Sequence, residues 1–358
     1  MQATVCTDTY ATLCKFMKMS PAQFDQTAKN EIESFFAHCR EGMDDDSEKL
    51  LATLLIQALN KRINSECIGE NIYLGKYEIS QIQLFNILIE KFPFVRFSQQ
   101  IVNNAIIEAM EGADEVTIID IGIGQGTQML NLIKAAKWLG QLKKLHFVGI
   151  EPFGEALRQA EKNILAQNGQ VPFEIRFKGI QDGAENVDFT TLGPLTGKII
   201  VNASLALHHI QTDQKRTATI AQIRQINPQA LLLIEPNVNH YEPDFFARFK
   251  NCYHHFYSIF QVIDRIEDIG QADKNALKLF FGREIEDIIG KTEKDRYEKH
   301  EPATHWIERL KQNRFSIKQH FSKIPTEAGC GVKIACHQEG FVGFTFQQET
   351  VLAILYAN

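Results

Sequence analysis

The stretch Val116-Thr-Ile-Ile-Asp120-Ile-Gly122-Ile-Gly124-Gln-Gly126-Thr127-Gln128 decides how the rest of the chain is read. Its first five residues form an apolar, β-branched run closed by a carboxylate, the texture of a strand buried on both faces. Three glycines then alternate, and residues 129–134 (MLNLIK) resume a helical pattern. Glycine reaches positive φ freely and lets a ligand come close to the backbone. The helix that follows offers unpaired N–H groups and the positive end of its dipole. Strand, glycine turn and helix in this order place a binding site outside the carboxyl end of the first strand of an open α/β sheet.

Outward from that loop, HFVGIE (146–151), KIIVNA (198–203) and ALLLIE (230–235) repeat the short apolar run, with helix-length segments between them. Such repetition predicts right-handed βαβ units and a doubly wound parallel sheet. FEIRF (173–177) alternates instead, which suits a strand nearer an edge or one partly solvated. Beyond Glu235 an aromatic-rich helical insertion is expected over about 240–316. GVKIAC (331–336) and FVGFTF (341–346) then read as a terminal antiparallel hairpin, with VLAILY (351–356) as one more strand. Upstream, Ala52, Leu55, Ile56 and Leu59 recur at helical spacing, as do Leu84, Ile87 and Leu88. Ser20-Pro21 reads as a helix start, and the acidic run 41–48 as a solvated loop between helices. The expected organisation is an α/β chain with an N-terminal helical cap over 1–110 and a core over 111–358.

Composition narrows the class. The 358 residues are 44% hydrophobic, enough for a large core, and the net charge is −6. That balance argues against a broad phosphate-binding surface, because non-specific nucleic-acid affinity comes from Lys and Arg neutralising phosphates. No apolar stretch approaches the roughly 20 residues that cross a bilayer. The start MQATVCTDTY lacks a basic patch followed by an apolar run, so no secretory signal is expected. Cysteines at 6, 14, 39, 67, 252, 330 and 336 are odd in number with no CxxC pair, which predicts free thiols in the cytoplasm. No metal site is expected from that pattern.

Two cofactor classes fit the loop. A dinucleotide fingerprint would put its third glycine or alanine at 127, where Thr127 stands. The observed D-x-G-x-G-x-G instead resembles the first motif of class I methyltransferases. That resemblance implies that Asp120, Gly122, Gly124, Gly126 and Gln128 surround the methionine part of S-adenosylmethionine. Glu151, at the end of the second strand, is placed to accept hydrogen bonds from a ribose diol. Asp182, after the third strand, occupies the adenine region, and Asn202 ends the fourth strand within reach of cofactor or acceptor.

Longer ordered segments resemble the GRAS family, known from plant regulators and from bacterial proteins read as methyltransferases. Residues 92–120 resemble its first leucine-rich region running into VHIID, with Thr117 in place of His. VNASLALHHI (201–210) and LIEPNVNH (233–240) resemble the segments after the fourth and fifth strands. FGREIEDII (281–289) and RYEKHEPATHWIERL (296–310) resemble the GREI and R-x-E-R-H-E…W…R segments. The closing motif departs, with Gly343-Phe344 where Gly-Trp is usual. All three glycines of the loop are kept, which favours an enzyme over a regulator.

The resulting expectation is an S-adenosylmethionine-dependent methyltransferase on a Rossmann-like sheet, releasing S-adenosylhomocysteine and acting on a small, partly apolar molecule. His208 and His209, opening a helix, are the candidate bases. Glu235, Asn237, Asn239, His240, Phe245, Phe249, Arg283 and Glu284 are candidate acceptor contacts. No nucleic acid and no membrane are expected as partners, and a homodimer is left open. The alternative is a non-catalytic GRAS-type ligand- or protein-binding regulator. An NAD-dependent oxidoreductase is disfavoured by Thr127.

Overall fold

The computed structural model describes residues 9–64, 81–318 and 321–358. Cys6, Cys67 and the first residues of the chain lie outside them. The described chain is α/β, built on one mixed sheet of nine strands in the order β3-β2-β1-β4-β5-β9-β8-β7-β6. The parallel half comprises β1 (Glu115–Ile121), β2 (Lys144–Ile150), β3 (Glu174–Ile180), β4 (Lys198–Ser204) and β5 (Ala230–Pro236). Each of the five apolar runs is a strand, and the alternating one, β3, is the sheet's edge.

The antiparallel half holds β6 (Glu327–Gly329), β7 (Val332–His337), β8 (Phe341–Phe346) and β9 (Glu349–Ala357). The hairpin is present, but β9 does more than follow it: it pairs antiparallel with β5 and joins the two halves. Its burial on both faces explains the unbroken apolar run at 351–355.

Alternation along the strands feeds two cores. Val116 and Ile118 face an apolar cluster shared with α5 (Pro93–Met110), α6 (Thr127–Ala136) and α7 (Gly154–Leu165). Ile119 and Ile121 face the other side, against α8 (Asp213–Gln225) and α11 (Ala303–Gln312). The first cluster extends without a break into α1 (Thr9–Met17), α2 (Gln26–Arg40), α3 (Ser47–Asn64), α9 (Phe245–Asp264) and α10 (Gln271–Ile285). Between α4 (Gln81–Lys91) and β1, α5 packs directly on β4, β5 and β9. The N-terminal helices therefore share one hydrophobic core with the sheet.

Two local expectations change. Ser20 and Pro21 open only a single 3₁₀ turn, Pro21–Gln23, where Gln23 Oε1 accepts from the Ser20 hydroxyl and N–H. The long helix starts five residues later, where the Asp25 carboxylate accepts from the Ala28 N–H as N-cap. His208 and His209 lie in a 3₁₀ turn, Leu207–His209; the helix begins at Asp213, capped by Thr212.

Candidate functional site

The glycine loop leaves β1 with all three glycines at positive φ, +74° at Gly122, +54° at Gly124 and +80° at Gly126. Each serves a different purpose. A Cβ at Gly122 would lie 2.7 Å from the Ala206 Cβ, and one at Gly126 would press on Ala160 and Ile164 at 3.3 Å. A Cβ at Gly124 would meet nothing within 4 Å, so this glycine borders open space. Glu151 shapes the turn: its carboxylate accepts from the Gly124 N–H at 3.0 Å and the Phe153 N–H at 3.1 Å. The ribose role expected of Glu151 would have to share those oxygens.

Beneath the loop, Asp120 and Asn202 are buried side by side on paired strands. Asn202 Nδ2 donates to Asp120 Oδ1 at 2.7 Å, while Asn202 Oδ1 is buried without a hydrogen bond. The Ser204 hydroxyl donates to Gln128 Oε1 at 2.7 Å, and Gln128 Nε2 donates to Asn103 Oδ1 at 3.1 Å. Burial pushes the Asp120 carboxyl up to about 7, against the Asn202 hydrogen bond and with help from the Glu151 charge. Asp182 stands apart, exposed, accepting from Gly183 N–H and Asn186 Nδ2 in its own turn.

A second polar cluster lies past the carboxyl ends of β4 and β5. By strand alternation Glu235 points to the opposite face of the sheet from Asn202, which separates it from the loop. The Glu235 carboxylate accepts from the Leu207 N–H at 2.8 Å and lies 2.6 Å from His208 Nδ1. Burial raises Glu235 to about 7 and, with the charge of His300, lowers His208 to about 3. Between those two values both groups are neutral. His209 is exposed, its ring 4.0 Å from that of His208.

The remaining candidates are largely spent on the scaffold. Asn237 Nδ2 donates to the Thr350 carbonyl, and its Oδ1 accepts from the Ala303 N–H. Asn239 accepts through its carbonyl from Asn251, while its side-chain Oδ1 is buried without a hydrogen bond. His240 shares a 2.9 Å Nδ1–Nδ1 contact with His300. Phe249 is fully buried and Phe245 lies under the Arg62 and Arg248 guanidinium groups. Arg283 is exposed, whereas Glu284 turns toward His300.

What sequence reading missed is the segment 296–309. Arg296, His300, Glu301, Trp306 and Arg309 are all buried there, and Glu298 nearly so. Arg296 donates to the His240 carbonyl at 2.9 Å. Glu301 binds Arg216 at 3.0 Å and Arg309 at 2.6 Å, with Trp306 lying against both guanidinium groups. Glu298 lies between His208 and His209 on one side and Glu284 and His300 on the other, and the ligand atoms of each trio fall within 4.8 Å of one another. The dense charges in RYEKHEPATHWIER were visible as a family-like segment; their burial was not.

Comparison with known proteins follows the same line. The GRAS domain family model matches residues 17–354. Scarecrow-like protein 1 of Arabidopsis thaliana is 28% identical over 301 residues, which are 78% of this chain and 50% of that protein. Scarecrow-like transcription factor PAT1 of the same plant is 29% identical over 245 residues, 64% of this chain and 50% of that protein. The chain thus spans half the length of either relative. The crystal structure of SCL7 from Oryza sativa superposes with a TM-score of 0.79 at 17% identity, covering 98% of this chain and 99% of that one.

These relatives overturn the enzymatic reading. They carry the names of Scarecrow-like proteins, one of them a transcription factor, so the expected methyltransferase with a small-molecule acceptor does not stand. The exclusion of nucleic acid as a partner falls with it. The physical reason is local: Asn237, His240 and Glu235, expected to meet an acceptor, instead bind the chain's own segments. Of the localisation expectation, what holds is that no described helix is long and apolar enough to cross a membrane. With its family model covering residues 17–354, the chain belongs to the GRAS domain family.

Proposed function

We propose that this chain is a non-catalytic GRAS-type regulator whose glycine loop binds an adenosine ligand of the S-adenosylmethionine class. The observation that carries the non-catalytic part is the closure of the β5 end: Asn237 is hydrogen-bonded to Thr350 and Ala303, and His208 to Glu235. Asn237 so engaged ties segments of the chain together, and the buried His208, lowered to about 3, is a weak base for an acceptor. The parallel strand order β3-β2-β1-β4-β5, reversing beside the loop, supports a Rossmann-like framework of the methyltransferase type used as a binding scaffold.

Two features fit the ligand. Open space beyond Gly124 suits a close-lying methionine moiety, and the unpaired Asn202 Oδ1 suits a donor such as its ammonium group. The ligand would supply that cation and a ribose diol; the chain would supply acceptors and the positive end of α6. Free thiols at Cys14, Cys39, Cys252, Cys330 and Cys336 support a reducing compartment such as the cytoplasm.

Calorimetry on the intact chain tests this. Micromolar-range binding of S-adenosylhomocysteine and S-adenosylmethionine is expected, abolished by Gly124→Arg, with no S-adenosylhomocysteine released from S-adenosylmethionine in a concentrated cell extract. Release that requires Gly124 would overturn the non-catalytic reading. A folded chain indifferent to both compounds would overturn the ligand.

A further inference from the structure

We propose that Glu284, Glu298 and His300 form a binding site for one first-row divalent cation of the Zn²⁺ class. The three come from two segments, α10 and the stretch that follows the π turn Glu286–Gly290. His300 Nε2 lies 3.2 Å from Glu298 Oε2 and 3.9 Å from Glu284 Oε2. Zinc–nitrogen and zinc–oxygen bonds of about 2.0–2.2 Å put tetrahedral ligand atoms about 3.3 Å apart. One pair already has that spacing, and Glu284, 3.9 Å from His300 and within 4.8 Å of Glu298, has to draw in.

The independent observation is electronic. The His300 ring is 1% exposed, yet its Nε2 makes no hydrogen bond, and neither does Glu298 Oε2 facing it. A buried polar atom without a partner keeps the desolvation cost of folding with nothing to offset it. His300 Nδ1 is engaged with His240 Nδ1, which fixes the ring plane. When His300 donates that proton, its Nε2 presents a lone pair to two carboxylates, an arrangement that a bound cation makes favourable, in place of the proton that would otherwise pair Nε2 with Glu298. Backbone N–H groups of Tyr297 and Glu298 donate to Asp287 Oδ2 at 2.7 Å, so the segment carrying Glu298 is held against the turn that follows Glu284.

The donor set selects the ion. One imidazole with two carboxylates and no thiolate suits a borderline divalent metal better than Ca²⁺ or Mg²⁺, which favour all-oxygen sites. The ion's two charges would match the two carboxylates. Glu298 keeps a slim exposed margin beside the exposed His209, and that is the route from solvent. Bound there, the ion would pin α10 to the 296–303 segment.

The test uses the full chain, stripped with EDTA and titrated with ZnCl₂, then separately with CoCl₂. One equivalent of Zn²⁺ should raise Tm, and Co²⁺ should give visible d–d bands of a four-coordinate N/O site. Glu284→Gln and Glu298→Gln should each lose at least about tenfold in Zn²⁺ affinity. His209→Gln should change it by no more than about threefold. If Glu298→Gln fails to fold by circular dichroism, Glu284→Gln decides, since its side chain is a quarter exposed. No stoichiometric binding by the folded wild type overturns the site. So does undiminished affinity in Glu284→Gln. Loss in His209→Gln alone moves the ion to the His208 side of Glu298 and overturns the ligands assigned.

Discussion

Asp120 shows how a motif residue acquires its properties from its neighbours. The sequence placed a carboxylate at the strand end, but its burial at 3% exposure and its Asn202 partner came from the adjacent strand. With a folded pKa of about 7 against an ordinary 3.8, the folded chain holds this proton more tightly than the unfolded one. The stability it contributes is complete below about pH 4 and drains as pH rises through 7. Asp120→Asn keeps the shape, removes the ionisation and offers an N–H toward the unpaired Asn202 Oδ1. Urea unfolding at pH 5 and pH 8 should therefore show stability changing less favourably with rising pH in the wild type than in the variant. The remaining pH dependence is a sum, in which the raised Glu235 favours low pH and the lowered His208 favours high pH. An equal change in both proteins would show that Asp120 ionises without cost. At Thr117 the departure from the family's histidine has a plain local role: its hydroxyl donates to the Thr196 carbonyl, bracing the approach to β4.

At the scale of elements, the loop between β1 and α6 separates a glycine that packing requires from one that borders open space. Gly122 and Gly124 share a left-handed backbone, which costs an L-residue about 1–2 kcal/mol. Gly122 adds a steric conflict with Ala206 on the β4 side, and Gly124 adds none. Gly122→Ala should destabilise by about 2–4 kcal/mol, and Gly124→Ala by about 1–2. Denaturant midpoints give the comparison, and a Gly124→Ala loss equal to that of Gly122→Ala would contradict the open space beside Gly124. The parallel strands were legible because burial on both faces writes continuous apolar runs. Helix starts were less so: Ser20-Pro21 reads as the start, and only the hydrogen bond from the Ala28 N–H shows that Asp25 is the cap.

Across the whole molecule, the polar segment 296–309 ties the helical insertion to the sheet. Glu301 is 3% exposed and pairs with both Arg216 and Arg309, themselves 0% and 6% exposed, while Asp213 gives Arg309 a second carboxylate. Removing one partner of a buried ion pair leaves a charge without compensation, at a cost of about 3–5 kcal/mol. Glu301→Gln should lower stability by that amount in urea unfolding and hasten limited proteolysis within 296–316. Because the pairs are buried, the loss should persist at high salt. A change under about 1 kcal/mol would mean that Trp306 and its apolar neighbours hold the segment without the charges.

The sequence by itself determined the parallel strands, the glycine loop and the family, because these rest on short-range patterns: period, turn chemistry and ordered motifs. Tertiary structure decided the rest. It placed Asn202 and Glu235 on opposite faces of the sheet, although both end strands and both read as site residues. It brought Glu284, Glu298 and His300 against His208 and His240 from separate segments. A side chain's partners depend on which segments the sheet order brings side by side. A charged residue looks the same in sequence whether water or a buried guanidinium will face it, and that difference is energetic only once the chain has closed around it.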